Sequence, residues 1–183
     1  DSVRVGALRA GQADAIRYSQ PPDERLLARE GFDVRGLRTP GLANVLDVRQ
    51  TAPFMKDINV RKAIGFGIDR DEILHTLYTD NWKPAQNIVT KNFPGYTDRS
   101  DAVRYDPDEA VRRLEASGWT HLNGDGYRIK DGHELAVKIY VDVYDHTAKP
   151  MYELIQRQLR RIGIRLVIRQ TDFANYPTAS IED

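Results

Sequence analysis

The chain has 183 residues, enough to bury a core of its own, and its length points to one domain or one and a piece. Its 27 basic and 27 acidic residues cancel, whereas a general nucleic-acid binder carries a basic excess. The absence of Cys excludes disulfides, zinc–thiolate sites and Cys nucleophiles, and no apolar run of about 18 residues marks a membrane span.

Residues 1–18 read as a short helix through Ala7 and Leu8 that Gly11 ends, followed by entry into a strand at Asp14-Ala15-Ile16. Residues 19–31 predict a second helix. Pro21 and Pro22 stand at its entrance, Asp23 and Glu24 in the first turn where the helix dipole favours acids, and Gly31 stops it. Residues 32–37 alternate apolar and polar side chains as a half-buried strand does, Pro40-Gly41 turns the chain, and residues 42–48 form another extended run.

Residues 53–78 organise the rest. Asp57 is placed to cap a helix in which Val60, Ala63, Ile64, Gly67 and Ile68 recur at i, i+3, i+4, i+7 and i+8, a single apolar stripe. Asp69 opens a second helix, with Glu72 three residues on as a capping box and Ile73, Leu74, Leu77 and Tyr78 facing inward. Gly65 and Gly67 sit mid-helix, where close helix packing explains them better than phosphate binding. Residues 80–104 then form a long irregular stretch, and loops of that length tend to be functional or disordered. Aromatic and amide groups in such a loop either line side-chain pockets or pack the loop itself. Trp82, Asn87 and Tyr96 are the candidate ligand-binding residues.

Residues 105–119, YDPDEAVRRLEASGW, hold a well-marked helix. Asp106 caps it, Pro107 takes the first position where no N–H is needed, and Glu109 closes a capping box. Ala110, Val111 and Leu114 face inward, Asp108–Arg112 and Glu109–Arg113 are spaced as ion pairs, and Trp119 packs back after Gly118. Asn123-Gly124-Asp125-Gly126 turns the chain into a strand at 127–130, Asp131-Gly132 makes a hairpin, and Leu135, Val137, Ile139 and Val141 alternate along the returning strand. The Asp-Gly repeats lack the ligand spacing of a calcium loop. Residues 149–162 predict the longest amphipathic helix, with Met151, Tyr152, Ile155, Leu159 and Ile162 on one face. Gly163 stops it and residues 164–168 form a strand.

Four of these runs resemble the family 5 extracellular solute-binding proteins of peptide and nickel ABC importers. The pattern PPF-x-D-x-x-VR-x-AI-x-x-AIDR-x-x-I stands here as Pro53-Phe54, Asp57, Val60-Arg61, Ala63-Ile64, Ile68-Asp69-Arg70 and Ile73. The YDP helix matches nearly residue for residue, with Glu115 in place of a Leu. The segment before Asp14 and the run Ile155-Gln156, Gln158-Leu159, Ile162-Gly163-Ile164, Leu166 and Ile168 follow in family order. Pro84-Ala85 is similar to a step after which the family's chain runs near its cleft, and residues 171–183 resemble its next loop and short helix. Val48, preceded by Asp47, stands where the family usually has an Asn, so a contact made by that Asn does not carry over.

The resemblance implies an α/β fold, a type II periplasmic-binding-protein lobe with a mixed sheet flanked by helices, present as a partial chain. Residues 1–44 would end the first lobe and approach the hinge, and residues 45–183 would form most of the second. It implies a substrate-binding component of an ABC importer, periplasmic or extracellular or lipid-anchored through a missing N-terminus, that captures a short peptide and delivers it to the membrane permease. In peptide-binding members the groups that grip the peptide amino terminus come later than position 183, so weak or no binding is expected of this chain alone. Nickel complexes and oligosaccharides are alternative solutes, and a stand-alone sensor or interaction domain is the competing class. No catalytic constellation, metal site or cofactor is expected: His75, His121, His133 and His146 fall on separate elements, without HExxH spacing, and no GxSxG elbow or Walker loop is present.

Overall fold

The computed structural model describes residues 2–37, 40–142 and 148–171. It divides into two compact units, Asp1–Thr39 with Asp71–Pro84, and Pro40–Arg70 with Ala85–Asp183.

The first unit holds α1 (Ser2–Arg9), α2 (Pro21–Arg29) and nearly all of α4 (Arg70–Leu77). Val5, Pro21, Leu27 and Ile73 are its buried apolar residues among those described, while Leu74, Leu77 and Tyr78 are half-buried. α2 begins at the two prolines with Asp23 and Glu24 in its first turn, and the N–H of Phe32 returns to the carbonyl of Leu27 at 3.0 Å to close its end. Glu24 is buried yet satisfied, accepting from the Thr79 hydroxyl and more distantly from Asn81 Nδ2 at 3.5 Å. Arg9 and Glu30 form a two-bonded pair at 2.8 and 2.7 Å, the strong fork geometry of a guanidinium on a carboxylate.

The predicted strands at 14–16 and 32–37 are not formed, and 42–48 makes only the bridge Leu42↔Val89. Alternation makes a segment suited to a sheet, but a ladder also needs a neighbouring backbone, and these stretches have none among the described residues. In 32–37 the polar side chains pair locally instead, Arg35 with Asp33 at 2.5 Å.

The second unit is built on α3 (Ile58–Gly67), α6 (Pro107–Ala116) and α7 (Ala148–Arg161). Asp57 caps α3 by accepting from the N–H of Asn59 at 2.8 Å. α3 packs on α6, and Val60 and Ala63 of the first and Ala110 and Leu114 of the second are all fully buried. Phe66, absent from the predicted stripe, is also buried, and Ile64 only half. The guanidiniums of Arg104 and Arg113 lie 4.9 and 5.4 Å from the Phe66 ring, so cations screen its exposed side. Gly67 ends α3 against α7. A Cβ there would stand 2.6 Å from Cδ1 of Ile162, which identifies the close packing expected of the glycine pair; Gly65 has open space.

α6 follows the four-residue helix α5 (Ser100–Val103), which lies inside the stretch expected to be irregular. Asp106 caps α6 from Glu109 N–H at 2.9 Å. The predicted box is only half made. The N–H of Asp106 donates to Phe66 O, and Glu109 instead pairs with Arg112 and Arg113 at 2.9 and 2.7 Å. Arg112 therefore turns to Glu109 rather than to Asp108. Two guanidiniums hold the Glu109 carboxylate more strongly than one backbone N–H can.

A small antiparallel sheet follows, β1 (His121–Leu122), β2 (Arg128–Lys130) and β3 (His133–Glu134), with Asp131 and Gly132 at φ 51° and 78° in the predicted tight hairpin. β4 (Ala136–Asp142), α7 and β5 (Arg165–Thr171) then make a βαβ unit with parallel register from Ala136↔Arg165 to Asp142↔Thr171. The inward face of α7 is Leu154, Ile155, Gln158 and Leu159, so Leu154 and Gln158 join the predicted set while Met151 and Tyr152 are half-buried. Arg128, 6% exposed, donates to the carbonyls of Ile162 and Trp119 and so ties the ends of α7 and α6 together. Gly163 at φ 82° admits that side chain, because a Cβ would lie 2.7 Å from Arg128 Cγ. The expected loop and short helix at 171–183 lie, beyond Thr171, outside the described residues.

Candidate functional site

The three candidate residues divide between the units. Trp82, in the first, is 39% exposed and rests on Tyr78 with ring centroids 5.0 Å apart. Its N–H closes a turn on Thr79 O at 3.0 Å, and the carbonyl of Tyr78 is held by Arg25 at 2.6 Å. The aromatic pair thus stands on a backbone fixed from α2, with one ring open to solvent.

Asn87 and Tyr96, in the second unit, fasten the two sides of one loop. Asn87 Nδ2 donates to the carbonyl of Thr97 at 2.8 Å, and its Oδ1 accepts from the N–H of Ile88 at 2.6 Å. The Tyr96 hydroxyl donates to Oε1 of Gln86 at 3.0 Å, and the N–H of Arg99 reaches Gln86 O at 3.1 Å. Desolvation, then the neighbouring Asp98 charge, pushes the Tyr96 phenol above its ordinary pKa, so it remains a neutral donor. Asp98 is held below the usual carboxylate range by the backbone N–H and then the hydroxyl of Ser100. The loop is anchored to 41–43 through Ala43 N–H to Ile88 O at 2.8 Å and Thr90 N–H to Gly41 O at 3.0 Å.

The same unit exposes apolar side chains on both segments: Leu42, Val45 and Val48 on the first, Ile88 and Phe93 on the loop. Such a surface offers apolar contact. It offers no nucleophile beside a base, and among the described residues no group of three or more His, Asp or Glu side chains is placed to hold a metal ion. An open depression of about 240 Å³ lined by Gly118, Thr120, His121, Ile129, Lys130, Asp131 and Gly132 lies on the small sheet. Its lysine is already donating to Ser117 O at 2.8 Å.

Sequence reasoning missed two supporting residues. Gln86, the partner of Tyr96, carries no local signal because its role depends on a contact ten residues away. Arg70 stood within the quoted family pattern without a role. It donates to the carbonyls of Gly65, Ile68 and Val103 at 3.2, 3.1 and 2.7 Å, closing the end of α3 and fixing the chain that leaves the loop. Burial lowers its pKa from the ordinary arginine value.

Residues 1–182 match the sequence family described as bacterial extracellular solute-binding proteins, family 5 Middle. Among curated proteins, the oligopeptide-binding protein OppA of Mycobacterium tuberculosis H37Rv is 29% identical over 177 residues, covering 92% of this chain and 29% of the relative. Among solved structures, NikA from Brucella suis in complex with Fe(III)-EDTA superposes with a TM-score of 0.79 at 26% identity, covering 97% of this chain and 36% of that one. An ABC transporter substrate-binding protein from Sinorhizobium meliloti gives 0.72 at 32% identity, with 93% and 36% covered. The chain thus spans less than a third of the length of the curated relative, and its α/β fold is that of part of a type II periplasmic-binding protein. No helix among the described residues is long and apolar enough to cross a membrane, and the relatives are solute-binding proteins rather than enzymes. The chain belongs to the family 5 extracellular solute-binding proteins.

Proposed function

We propose that the protein carrying this chain is the substrate-binding component of an ABC importer, working outside the cytoplasmic membrane and delivering a short peptide to the permease. The family match across residues 1–182 carries the reading. It is supported by a relative named for oligopeptide binding and by the exposed apolar side chains Ile88 and Phe93 on the loop. Extended peptides are held by main-chain hydrogen bonds, with permissive pockets for their side chains. Trp82, Asn87 and Tyr96 each contribute to solute contact in this reading: Trp82 by its open ring, Asn87 and Tyr96 by holding the loop that presents Ile88 and Phe93. A metal-chelate solute is the second reading, favoured by the likeness to NikA bound to Fe(III)-EDTA.

A thermal-melt screen of the longer polypeptide tests both. Pooled di- to pentapeptides, nickel–histidine and oligosaccharides are added separately. A ligand at about 100 times its Kd adds roughly 2.7 kcal/mol of stability, a readily visible shift. A shift with peptides alone supports the first reading, and one with the nickel complex alone supports the second. No shift in any pool, with the protein shown to be folded, rejects both and favours a sensor or interaction domain.

A further inference from the structure

Among the chain's asparagines only Asn123 precedes a glycine; the others precede Val, Trp, Ile, Phe or Tyr. Asn123 opens the turn from β1 to β2. Its N–H donates to the carbonyl of Tyr127 at 2.8 Å, and its own carbonyl accepts from the N–H of Gly126 at 3.0 Å. The side chain is equally fixed. Its Oδ1 accepts from the N–H groups of Asp125 and Tyr127 at 3.0 and 2.9 Å, and its Nδ2 donates to Oε2 of Glu134 at 2.8 Å. Gly124 is exposed, and its N–H has no partner among the described residues.

These contacts set a polarised amide beside an uncommitted backbone nitrogen. Two N–H groups on Oδ1 draw electron density from Cγ. They also face the negative charge that gathers on this oxygen when a nucleophile adds, as the donors of an oxyanion hole do. Gly124 has no Cβ to shield its nitrogen. The Glu134 carboxylate faces Nδ2, where positive charge develops as the amide nitrogen takes up a proton to leave.

We infer that Asn123 is a site of spontaneous deamidation in the folded protein. The backbone nitrogen of Gly124 adds to Cγ of Asn123 and gives up its proton to water or hydroxide. The side-chain nitrogen takes a proton and leaves as ammonia, which closes a succinimide ring. Water then opens the ring. Addition at Cγ yields aspartate, and addition at the backbone carbonyl carbon of residue 123 yields isoaspartate. Water is consumed and ammonia released, and no oxidant or cofactor takes part. The product loosens the turn. A carboxylate now faces Glu134 where an amide had donated, so the turn loses its tie to β3, while the bond from Arg165 to Glu134 is kept. Isoaspartate also lengthens the backbone between the two bonds that residue 123 makes to Tyr127 and Gly126.

Peptide mapping by mass spectrometry, on the longer polypeptide held folded in mildly alkaline buffer, tests this independently of any ligand. Asn123 is expected to convert to a mixture of aspartate and isoaspartate at least about tenfold faster than Asn81 or Asn87, which precede Trp and Ile. Gly124→Ala is the control. A Cβ there meets no atom within 4 Å, and Gly124 is not among the glycines of positive φ, so the variant should fold and melt as the parent does. Its conversion at Asn123 should be slower by about tenfold or more. An Asn123 that outlasts Asn81 and Asn87 would overturn the inference. So would an unchanged rate in the folded Gly124→Ala variant.

Discussion

The helix pair α3–α6 and the loop at 86–99 belong to the same unit, yet different forces hold them. Between the helices Val60, Ala63, Ala110 and Leu114 are removed from water completely, and a carboxylate closes each helix start. The loop leaves Ile88 and Phe93 exposed and keeps its shape through side-chain bonds, Asn87 to Thr97 and Tyr96 to Gln86. Burial of a Leu is worth more than a typical net hydrogen bond of about 1 kcal/mol. The scaffold therefore carries the stability, and the loop can vary its surface chemistry without endangering the fold.

The comparison breaks most visibly at Leu114. Leu114→Ala opens a cavity where the side chain is fully buried, and a loss of about 3 kcal/mol is expected in urea titrations, with an unchanged slope. Next is Gln158, 1% exposed, whose amide accepts from the N–H of Asp69 and donates to its carbonyl, both at 3.1 Å. Gln158→Leu keeps the bulk but strands these backbone groups, and should destabilise by about 2 kcal/mol in the same titration. Asp57→Ala removes the α3 cap, with an expected loss of about 1 kcal/mol.

The smallest effect is one of pH. Glu134 is held below its ordinary pKa first by the Arg165 guanidinium and then, against partial desolvation, by Asn123. A carboxyl depressed in the folded chain contributes stability above its unfolded pKa, near 4.3, and loses it as pH falls through the lower folded value. Glu134→Gln should therefore reduce stability slightly at pH 7 and flatten the acid-side decline below about pH 4, read from melts across pH.

The same division decides what the sequence disclosed. Helix starts were legible because a cap is local: Asp57 and Asp106 each accept from an N–H two or three residues onward. The hairpin at Asp131-Gly132 was legible for the same reason. The strands expected at 32–37 and 42–48 failed because a strand's existence depends on a distant partner that alternation does not encode. Phe66 escaped the apolar stripe because its burial is completed by Arg104 and Arg113, neither of them apolar. In the candidate site, aromatic and amide residues could be picked out of the loop. Their bonding to Gln86 and Thr97, and the allotment of Trp82 to a different unit, depend on tertiary geometry.

The most direct test of the solute-binding reading is isothermal titration of the longer polypeptide with short peptides, followed by recovery of the bound peptide for mass spectrometry. Saturable binding of about one peptide per protein, recovered chemically intact, is the predicted result. A folded protein that binds no peptide, or that returns the peptide cleaved, would contradict it.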